Sequence, residues 1–390
     1  MLLALHYIIL FLVLALFVPV IVFLVQVLAS FFSKNNQPTQ TITNRPTLAI
    51  LMPAHNEALV IEESIRNIRS QLNSNDQFIV VADNCSDDTA KIAINHGAKV
   101  LERKNMIARG KGYALDYGLQ YLKSSPPEVV IIIDADCLVG ANSINLLAAE
   151  CVKVKRPVQA LYLMEPQPNP SLKARIAAFA WHVKNKVRPM GFHALGLPCQ
   201  LMGTGMAFQW DDIDQVSLAS GHIVEDMKLG ADLARQNKAP VFLQTALVTS
   251  IFPPSDSATK TQRARWEHGH LSVILNELPK LMLDAIRNKN KQMLGLACDL
   301  LVPPIAMLTL LCLITLVLSI LFGDDINRVL AFALVASLVF SVLTAWLGYG
   351  RKIISFKQLC YAPIYALIKI PLYLKFIFNR QVEWVRSKRD

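Results

Sequence analysis

The chain has 390 residues, of which 53% are hydrophobic and 17% are charged. Soluble domains average about 45–50% apolar and about 25% charged residues, so this composition argues against a purely soluble protein. The net charge of +10 raises the question of nucleic-acid binding, but the sequence carries no DNA-binding or RNA-binding motif, and we expect no nucleic-acid partner. The seven cysteines are widely spaced without a CxxC pair, which favours a reduced, cytoplasm-facing protein over a disulfide framework or a structural zinc site.

The first 33 residues contain no Asp, Glu, Lys or Arg. Their apolar length exceeds the roughly 20 residues that cross a bilayer core. They also lack the basic start and the small-residue cleavage site of a secretory signal. We therefore predict that residues 1–33 form a retained membrane-spanning helix, followed by a polar linker over residues 34–45.

Residues 46–270 have the pattern of an α/β domain. Apolar runs of strand length, residues 48–52, 78–82 and 129–133, alternate with stretches of helical spacing. This alternation predicts a parallel sheet that is covered by helices on both faces. Ligands of such sheets bind at the carboxyl ends of the strands, so we expect the chemistry in the loops that follow these three runs.

The carboxyl-terminal third is again apolar. An amphipathic interfacial segment is predicted over residues 271–292, and two long apolar runs predict a transmembrane helical hairpin over residues 293–350. Residues 351–390 are predicted to form interfacial helices and a basic cytoplasmic tail, with a fourth span over residues 359–378 as the alternative.

The placement of charge predicts the topology. The last forty residues carry seven of the ten excess positive charges, and Arg351, Lys352 and Lys357 follow the hairpin directly. Lys and Arg near membrane spans favour the cytoplasmic side, so we expect residues 34–292 in the cytoplasm and the amino terminus outside. Residues 175–190 also have the pattern of a basic amphipathic helix, which would lie on the membrane or form a solvated helix of the domain.

The loop after the third apolar run contains Asp134-Ala135-Asp136. Strand alternation would place both carboxylates on one side, where a cation between them would relieve their repulsion. Hard oxygen ligands that share a cation with substrate phosphates suit Mg²⁺ or Mn²⁺. The alternative is an Asp-rich turn in which Asp136 caps the next helix.

Three more motifs follow in order: Gly203-Thr204-Gly205, Glu225-Asp226, and Gln262-Arg263-Ala264-Arg265-Trp266. Each is weak alone, because an acidic pair can open any solvated helix and a turn of this kind can pack a Trp into a domain. The combination, after a DxD triplet and between membrane spans, is a much rarer pattern.

With these motifs the sequence resembles the membrane-integrated inverting glycosyltransferases of family 2. That family includes the cellulose, hyaluronan and chitin-oligosaccharide synthases and the ceramide glucosyltransferases. The resemblance implies the GT-A fold, a Rossmann-like α/β domain with a mostly parallel sheet, here cytoplasmic and flanked by transmembrane and interfacial helices. The matching residues are Asp83 for the early Asp, Asp134 and Asp136 for DxD, Glu225-Asp226 for the later acidic pair, and Gln262, Arg265 and Trp266 for (Q/R)xxRW. One departure is Ala82, where many members carry the first of two consecutive Asp residues.

The resemblance also implies a role for each motif residue. Asp83 would read the uracil, Asp134 would contact the ribose or the sugar, and Asp226 would be the general base. The full implied sets are Pro53, Ala54, Glu57, Asp83, Lys111 and Asp134 for the nucleotide sugar, Asp136 for the metal, Glu225, Asp226, Gln262, Arg265 and Trp266 for catalysis, and Gly203, Thr204, Gly205 and Trp266 for the acceptor. For Lys111 a solvated helix start is an equal alternative.

Physical chemistry agrees with these roles. A sugar hydroxyl is a poor nucleophile, and a carboxylate that takes its proton typically contributes about 10²–10⁴-fold to the rate. A metal and the guanidinium of Arg265 would stabilise the charge on the leaving diphosphate. The flat face of Trp266 would stack on a sugar ring.

The sequence therefore predicts an inverting, metal-dependent hexosyltransferase that uses a nucleotide sugar, expected to be UDP-linked, with Mg²⁺ or Mn²⁺. The acceptor is left open between a saccharide, as in a processive polysaccharide synthase, and a membrane lipid, as in a ceramide-type enzyme. Three spans are few for a channel, so a synthase would call for an oligomer or an export partner. An alternative of another class is a catalytically silent GT-A membrane assembly module, against which the complete set of motif residues argues. We expect a multi-pass protein that contacts membrane lipids in the bacterial inner (plasma) membrane.

Overall fold

The computed structural model describes residues 2–33, 45–219, 224–252 and 256–378, with side chains throughout except at 2, 256–261 and 263. Residues 34–44 of the predicted linker and residues 379–390 of the predicted basic tail lie outside the described residues.

Strands and helices alternate through the domain, and helices make up both ends. The strands are β1 (Leu48–Ala54), β2 (Gln77–Asp83), β3 (Lys99–Arg103), β4 (Val129–Ile132), β5 (Leu138–Val139), β6 (Val158–Glu165), β7 (Met206–Gln209) and β8 (Val241–Ile251). The helices up to the end of the sheet are α1 (Leu2–Ser30), α2 (Ile61–Arg69), α3 (Thr89–Asn95), α4 (Lys111–Leu122), α5 (Ser143–Val154), α6 (Leu172–His182), α7 (Arg188–Ala194), α8 (Trp210–Ile213) and α9 (Glu225–Arg235). The later helices are α10 (Asp256–Asn276), α11 (Leu278–Arg287), α12 (Lys291–Leu301), α13 (Ile305–Phe322), α14 (Asp325–Ala345), α15 (Phe356–Leu359), α16 (Ala362–Ile368) and α17 (Ile370–Phe378). Two π-helical turns, Val183–Val187 and Trp346–Gly350, follow α6 and α14.

The strands form one mixed sheet in the order β3-β2-β1-β4-β7-β6-β8-β5. Strands β3, β2, β1 and β4 pair in parallel, as do β6 and β8. Strand β7 runs antiparallel between β4 and β6, and β5 runs antiparallel beside β8. The predicted α/β fold class is confirmed, and the predicted parallel sheet holds for its first half, whereas the second half contains antiparallel pairs.

The sheet is buried on both faces, which explains the unbroken apolar runs of its central strands. Ile50 of β1 packs with Ile65 of α2 on one face. Leu51 packs with Leu115 and Leu119 of α4 on the other face. Each fully buried side chain of this size stabilises the fold by about 1.5–3 kcal/mol. The two layers hold the carboxyl ends of β1, β2 and β4 rigidly side by side.

Within the part of the chain that the structure describes, four helical stretches are long and apolar enough to cross a membrane: Leu3–Ser30, Ile305–Phe322, Asp325–Gly350 and Phe356–Phe378. The first three fall within the predicted spans. The fourth is divided into the short helices α15, α16 and α17, so the interfacial arrangement and the fourth span both remain predictions.

The first apolar run of the predicted hairpin, residues 294–322, is not one continuous helix. It breaks at Val302–Pro304, because proline lacks the amide hydrogen that a continuing helix requires. Helix α12, before the break, packs through Leu296 and Leu300 in a cluster with residues of α9 and α11. The segment up to residue 301 therefore belongs with the α/β domain, and the span-length helix begins at Ile305.

Residues 172–194 form one helical rod of α6, a π-helical turn and α7. Val183 and Val187 are buried in a cluster with Val20 and Phe23 of α1. A Cβ on Gly191 would lie 1.8 Å from the backbone oxygen of Gln26, so the two helices touch through their backbones. The predictions of a lipid-lying helix and of a solvated helix for residues 175–190 are both corrected, because this helix packs against α1 inside the protein.

Candidate active site

The loops after β1, β2 and β4 meet at one edge of the sheet and form a cleft of about 170 Å³. Residues of α4 and α10 close its sides. All six side chains predicted to bind the nucleotide sugar line the cleft, together with Asp136 and the three motif residues of α10. The complete lining is Pro53, Ala54, His55, Glu57, Asp83, Gly110, Lys111, Ala114, Asp134, Ala135, Asp136, Tyr162, Gln262, Arg265 and Trp266.

The first two loops are tied together by hydrogen bonds between their backbones and side chains. Nδ1 of His55 lies 2.6 Å from the backbone oxygen of Asp83, and the amide of Glu57 donates to Oγ1 of Thr89 at 2.8 Å. The amide of Ser86 donates to Oδ1 of Asn56 at 2.7 Å. These bonds fix the wall on which the nucleoside is predicted to lie.

Asp83 has a basic partner that sequence reasoning missed. Nη1 of Arg103, the last residue of β3, lies 2.6 Å from Oδ1 of Asp83, and both side chains are largely buried. The same guanidinium donates to the backbone oxygen of Ala108 at 2.8 Å and lies over the ring of Tyr113. Strand β3 was not predicted, because it lies at the edge of the sheet, and its five residues include three charged side chains and none that is fully buried. Arg103 holds the Asp83 carboxylate in place at the floor of the cleft.

Lys111 lies inside the cleft, so the alternative of a solvated helix start is wrong. Its Nζ is 2.5 Å from Oδ1 of Asp134 and donates to the backbone oxygen of Gly203 at 2.8 Å. Burial alone would lower the pKa of Lys111, but the charges of Asp134, Glu225 and Asp226 outweigh burial and raise it. The lysine is therefore a fixed positive charge beside the DxD triplet.

Asp136 is held by a hydrogen bond from strand β8. Its Oδ2 accepts a hydrogen bond from Oγ of Ser250 at 3.2 Å. The described residues contain no cluster of three or more His, Cys, Asp or Glu side chains that could hold a metal ion by themselves. Mg²⁺ and Mn²⁺ do not need such a cluster, because they bind through one or two carboxylates together with substrate phosphates and water. The donor set of Asp134 and Asp136 fits a cation of this kind.

Gly203, Thr204 and Gly205 form a loop that supports the DxD triplet. Oγ1 of Thr204 accepts from the amide of Asp134 at 3.0 Å, and Thr204 is fully buried. Gly205 has φ +65°, and a Cβ there would lie 2.8 Å from side-chain carbons of Ala160 and Val248. The predicted acceptor contact of Thr204 is corrected, since its hydroxyl is used against the Asp134 backbone and is closed off from the cleft.

Glu225 and Asp226 begin α9, and Asp226 lies close to Gly203 and Lys111, although neither acidic residue is among those that line the cleft. Oδ1 of Asp226 accepts from the amide of Met227 at 2.9 Å, and Oδ2 lies 3.5 Å from where a Cβ on Gly203 would stand. Burial raises the pKa of Glu225 to about 7, against the opposing effect of Lys111. Burial also raises the pKa of Asp226, with Lys111 again opposing. A carboxylate whose proton affinity is raised in this way suits proton abstraction near neutral pH.

Helix α10 carries Gln262, Arg265 and Trp266 into the cleft. Gln262 is buried, and its Oε1 has no hydrogen-bond partner among the described residues. The ring of Trp266 lies against Trp181 of α6, with centroids 4.9 Å apart and planes tilted by 40°. An unpartnered amide oxygen and an aromatic face are groups that a polar, ring-shaped ligand would engage.

Trp266 also lines a second cavity of about 170 Å³, which the sequence did not predict. This membrane-side cavity lies where the domain meets the apolar helices, and its walls include Phe23 of α1, Phe179 of α6, Ile305 of α13 and Val342 of α14. Tertiary packing of helices far apart in sequence creates it, so no local motif could have revealed it.

The fold and this cleft define a mixed α/β protein with a charged cleft at the carboxyl ends of its strands and with apolar helices long enough to cross a membrane. A family model for "Glycosyl transferase family group 2" matches residues 129–369, and one for "Glycosyl transferase family 2" matches residues 49–155. The chain belongs to the glycosyl transferase family group 2.

Curated relatives match shorter stretches. The chain is 33% identical over 94 residues to the low-salt glycan biosynthesis hexosyltransferase of Haloferax volcanii, covering 24% of this chain and 21% of that protein. It is 25% identical over 118 residues to the poly-beta-1,6-N-acetyl-D-glucosamine synthase of Staphylococcus aureus, covering 29% and 27%. An uncharacterised glycosyltransferase of Mycobacterium tuberculosis is 31% identical over 122 residues, covering 30% and 51%. The matched regions thus span about half or less of the length of these relatives.

Among solved structures, a mannosyltransferase from Pyrobaculum calidifontis in complex with GDP-Man and Mn²⁺ has a TM-score of 0.57. The similarity covers 97% of this chain and 100% of that chain at 17% sequence identity. It confirms that the two proteins share a fold, including the helices outside the α/β domain.

Proposed function

We propose that this chain is an inverting glycosyltransferase that moves a hexose from a nucleotide sugar to an acceptor at the membrane surface. The observation that carries the proposal is the cleft itself, in which Asp83, Lys111, Asp134, Asp136 and Arg265 come together from distant parts of the sequence. Fixed charges of both signs at the carboxyl ends of the strands suit a diphosphate, its cation and a sugar.

The nucleoside half of the donor is proposed to lie against Pro53, Ala54 and Glu57, with its base at Asp83. The bond from Arg103 leaves one Asp83 oxygen to accept from a base N–H. A UDP sugar is the expected donor. The mannosyltransferase of similar fold is described with GDP-Man, so a GDP sugar is the second donor to test.

Catalysis is proposed to follow a single displacement. The acceptor hydroxyl oxygen attacks the anomeric carbon from the face opposite the diphosphate, and Asp226 takes the hydroxyl proton. The bond from the anomeric carbon to the diphosphate oxygen breaks, and the nucleoside diphosphate leaves with the electron pair. Attack from the opposite face inverts the configuration of the anomeric carbon.

The leaving diphosphate gains negative charge as this bond breaks. Arg265 is proposed to bind it through two parallel hydrogen bonds, and Lys111 supplies a second fixed positive charge at the cleft wall. When Mg²⁺ or Mn²⁺ is bound by Asp136, it would stabilise the same charge as a Lewis acid. Gln262, with its unpartnered buried oxygen, is proposed to hold a hydroxyl of the transferred sugar or of the acceptor.

The membrane arrangement is also a proposal. The cavity beside the domain contains Phe23 near the end of α1, Ile305 at the start of α13 and Val342 near the end of α14. At the opposite end, Asn327 donates to the backbone oxygen of His6 at 3.1 Å. Three antiparallel crossings, with residues 46–270 on the cytoplasmic side, explain why the same ends of these helices meet the domain.

The acceptor is proposed to be a membrane lipid that receives one sugar. The cavity between the domain and the apolar helices shares Trp266 with the donor cleft, so a molecule held there would present its head to the transferred sugar. A processive polysaccharide synthase is the other candidate, which the match to the Staphylococcus aureus synthase favours.

The proposal is tested with the full chain in detergent, supplied with total membrane lipids, Mn²⁺ or Mg²⁺, and radiolabelled UDP or GDP sugars. We expect nucleotide release with at least one donor, and a loss of about 10²–10⁴-fold in rate for Asp226→Asn. Asp211→Asn is the matched control, since Asp211 also lies in the first turn of a helix but is exposed to solvent.

The product distinguishes the two acceptors. One chloroform-soluble labelled species supports single transfer to a lipid, whereas a ladder of labelled saccharides supports a synthase. If no donor releases nucleotide and Asp226→Asn behaves like the wild type, the chain is the catalytically silent assembly module and the enzyme proposal fails.

A further inference from the structure

The membrane-side cavity is apolar on most of its wall but contains positive charge. Lys184, in the π-helical turn, lines it together with Arg188 and Lys369. A cation at such a place is costly unless an anion or hydrogen-bond acceptor compensates it. Each of these three charges must therefore be accounted for.

Two of the three cations are paired within the protein. Nη2 of Arg188 lies 2.8 Å from Oδ1 of Asp299, and both side chains are buried. Lys369 forms an ion pair with Glu267. Among the described residues, no carboxylate lies within ion-pair distance of Lys184. Its Nζ lies over the ring of Trp181, 5.6 Å from the ring centroid. Lys184 is thus the cavity cation for which the described part of the chain supplies no counter-ion.

Lys184 also lies near the predicted base. Burial raises the pKa of Asp226, and the positive charge of Lys184 partly opposes this effect. Trp181 on the preceding turn contacts Trp266, which lines both the cavity and the donor cleft. An anion at Lys184 would therefore stand beside the site of transfer.

We propose that this cavity binds a lipid acceptor whose head carries a phosphate group next to Lys184 and a hydroxyl that reaches Asp226. The proposal rests on the proposed function and narrows its acceptor to an anionic lipid. Apolar walls from the span-length helices fit a hydrocarbon chain, and Lys184, a compact point charge, fits a phosphate at the end of that chain. The transfer itself is the displacement described above, with the lipid head supplying the attacking O–H.

The test uses two photoactivatable lipids with a diazirine in the same acyl chain, phosphatidylglycerol and diacylglycerol. Both carry a hydroxyl, but only the first carries a phosphate. The full chain is placed in phosphatidylcholine nanodiscs, irradiated, and digested to map the crosslinked peptides. We expect phosphatidylglycerol to label cavity residues such as Phe179 and Ile305 several-fold more strongly than diacylglycerol does.

The lysine variants provide the decisive comparison. Lys184→Met should reduce phosphatidylglycerol labelling of the cavity to the diacylglycerol level. Lys186→Met, on the same helix and with the same charge change but outside the cavity lining, should label like the wild type. Equal labelling in the two variants, or labelling confined to exposed lipid-facing residues such as Phe332, would overturn the proposal.

Two further measurements distinguish lipid binding at Lys184 from donor binding there, and from failure of the proposed function. If excess UDP or GDP with Mn²⁺ abolishes cavity labelling by competition, the anion at Lys184 is the diphosphate of the donor, and the lipid proposal fails. Nucleotide binding is measured independently by calorimetry on the same sample. If a nucleotide binds but phosphatidylglycerol labels the cavity no more than diacylglycerol does, the lipid inference is refuted and the glycosyltransferase proposal stands. If neither nucleotide binds, the result counts against the proposed function itself.

Discussion

A buried polar cluster joins the first apolar helix to the α/β domain and allows a quantitative test of the packing. Nε of Arg188 donates to Oε1 of Gln26 at 2.9 Å, and Nε2 of Gln26 donates to Oδ1 of Asp299 at 2.6 Å. The Arg188 and Asp299 side chains are only 3% and 8% exposed. The cluster thus connects α1, α7 and α12, which are more than 100 residues apart in sequence.

Removing one charge should be far more damaging than removing the whole cluster. Arg188→Met leaves the Asp299 carboxylate buried without its partner, which typically costs about 3–5 kcal/mol. At roughly 2–4 °C per kcal/mol for a domain of this size, the apparent Tm should fall on the order of 10 °C. The triple variant Gln26→Leu/Arg188→Met/Asp299→Leu replaces every polar member with an apolar side chain and should recover most of that loss.

The assay is thermal unfolding of each full-length variant in the same detergent. Lys153→Met is the control, because Lys153 pairs with Glu150 on the surface and is 73% exposed, and such pairs contribute about 0–1 kcal/mol. The reasoning is refuted if Arg188→Met unfolds within a degree or two of Lys153→Met. It is also refuted if the triple variant is less stable than the single one.

Three further predictions concern the cleft. Burial raises the pKa of Glu225 to about 7 and also raises the pKa of Asp226, so the acidic pair takes up a proton as the pH falls through about 7. We therefore expect kcat/KM to rise with pH through about 7, and Glu225→Gln to shift this acid limb. A rate that is flat from pH 5.5 to 8 would contradict the assignment. Gly205→Ala should lower Tm more than Gly196→Ala. Both glycines have positive φ, which costs a residue with a side chain about 1–2 kcal/mol, but of the two only Gly205 would bring its Cβ within 2.8 Å of side-chain carbons, for a further cost of about 1–3 kcal/mol. Equal Tm values for the two variants would disprove the tight fit at Gly205. Arg103→Met leaves the Asp83 carboxylate unpaired and should weaken nucleotide binding at least tenfold in calorimetry, unless Asp83 takes no part in binding.

The first half of the sheet could be predicted because its signal is local. Strands β1, β2 and β4 are buried on both faces, and each is a continuous apolar run. Strand β3 has an exposed, partly charged pattern. Strand β7 has the sequence MAFQ, with three apolar residues and no β-branched residue, so neither strand stands out from a loop. The antiparallel pairing of β7 with β4 and β6 depends on tertiary structure, so no local sequence pattern predicts it.

The candidate site also contains residues that a local pattern predicts and partners that it does not predict. Asp83, Asp134 and Asp136 directly follow predicted strands, so sheet topology alone brings them to one edge. Arg103 reaches Asp83 from an unpredicted strand across 20 residues, and Ser250 reaches Asp136 across 114. Such partners depend on the register of the whole sheet, and an isolated Arg or Ser has no signature of its own in a sequence.

The helical rod at residues 172–194 lies between the donor cleft and the membrane-side cavity, because its Trp181 packs against Trp266, which lines both. Ala177, Trp181, Lys184 and Arg188 recur at helical spacing and all line the cavity. The neighbouring face packs on α1 through Val187. The basic residues that suggested a helix lying on lipid therefore have another physical reason to be there. Arg188 ties this helix to the first apolar helix through Gln26. Lys184 places a positive charge in the membrane-side cavity, which shares Trp266 with the donor cleft. The proposed anionic lipid head would have to lie at this position to receive a sugar from the donor.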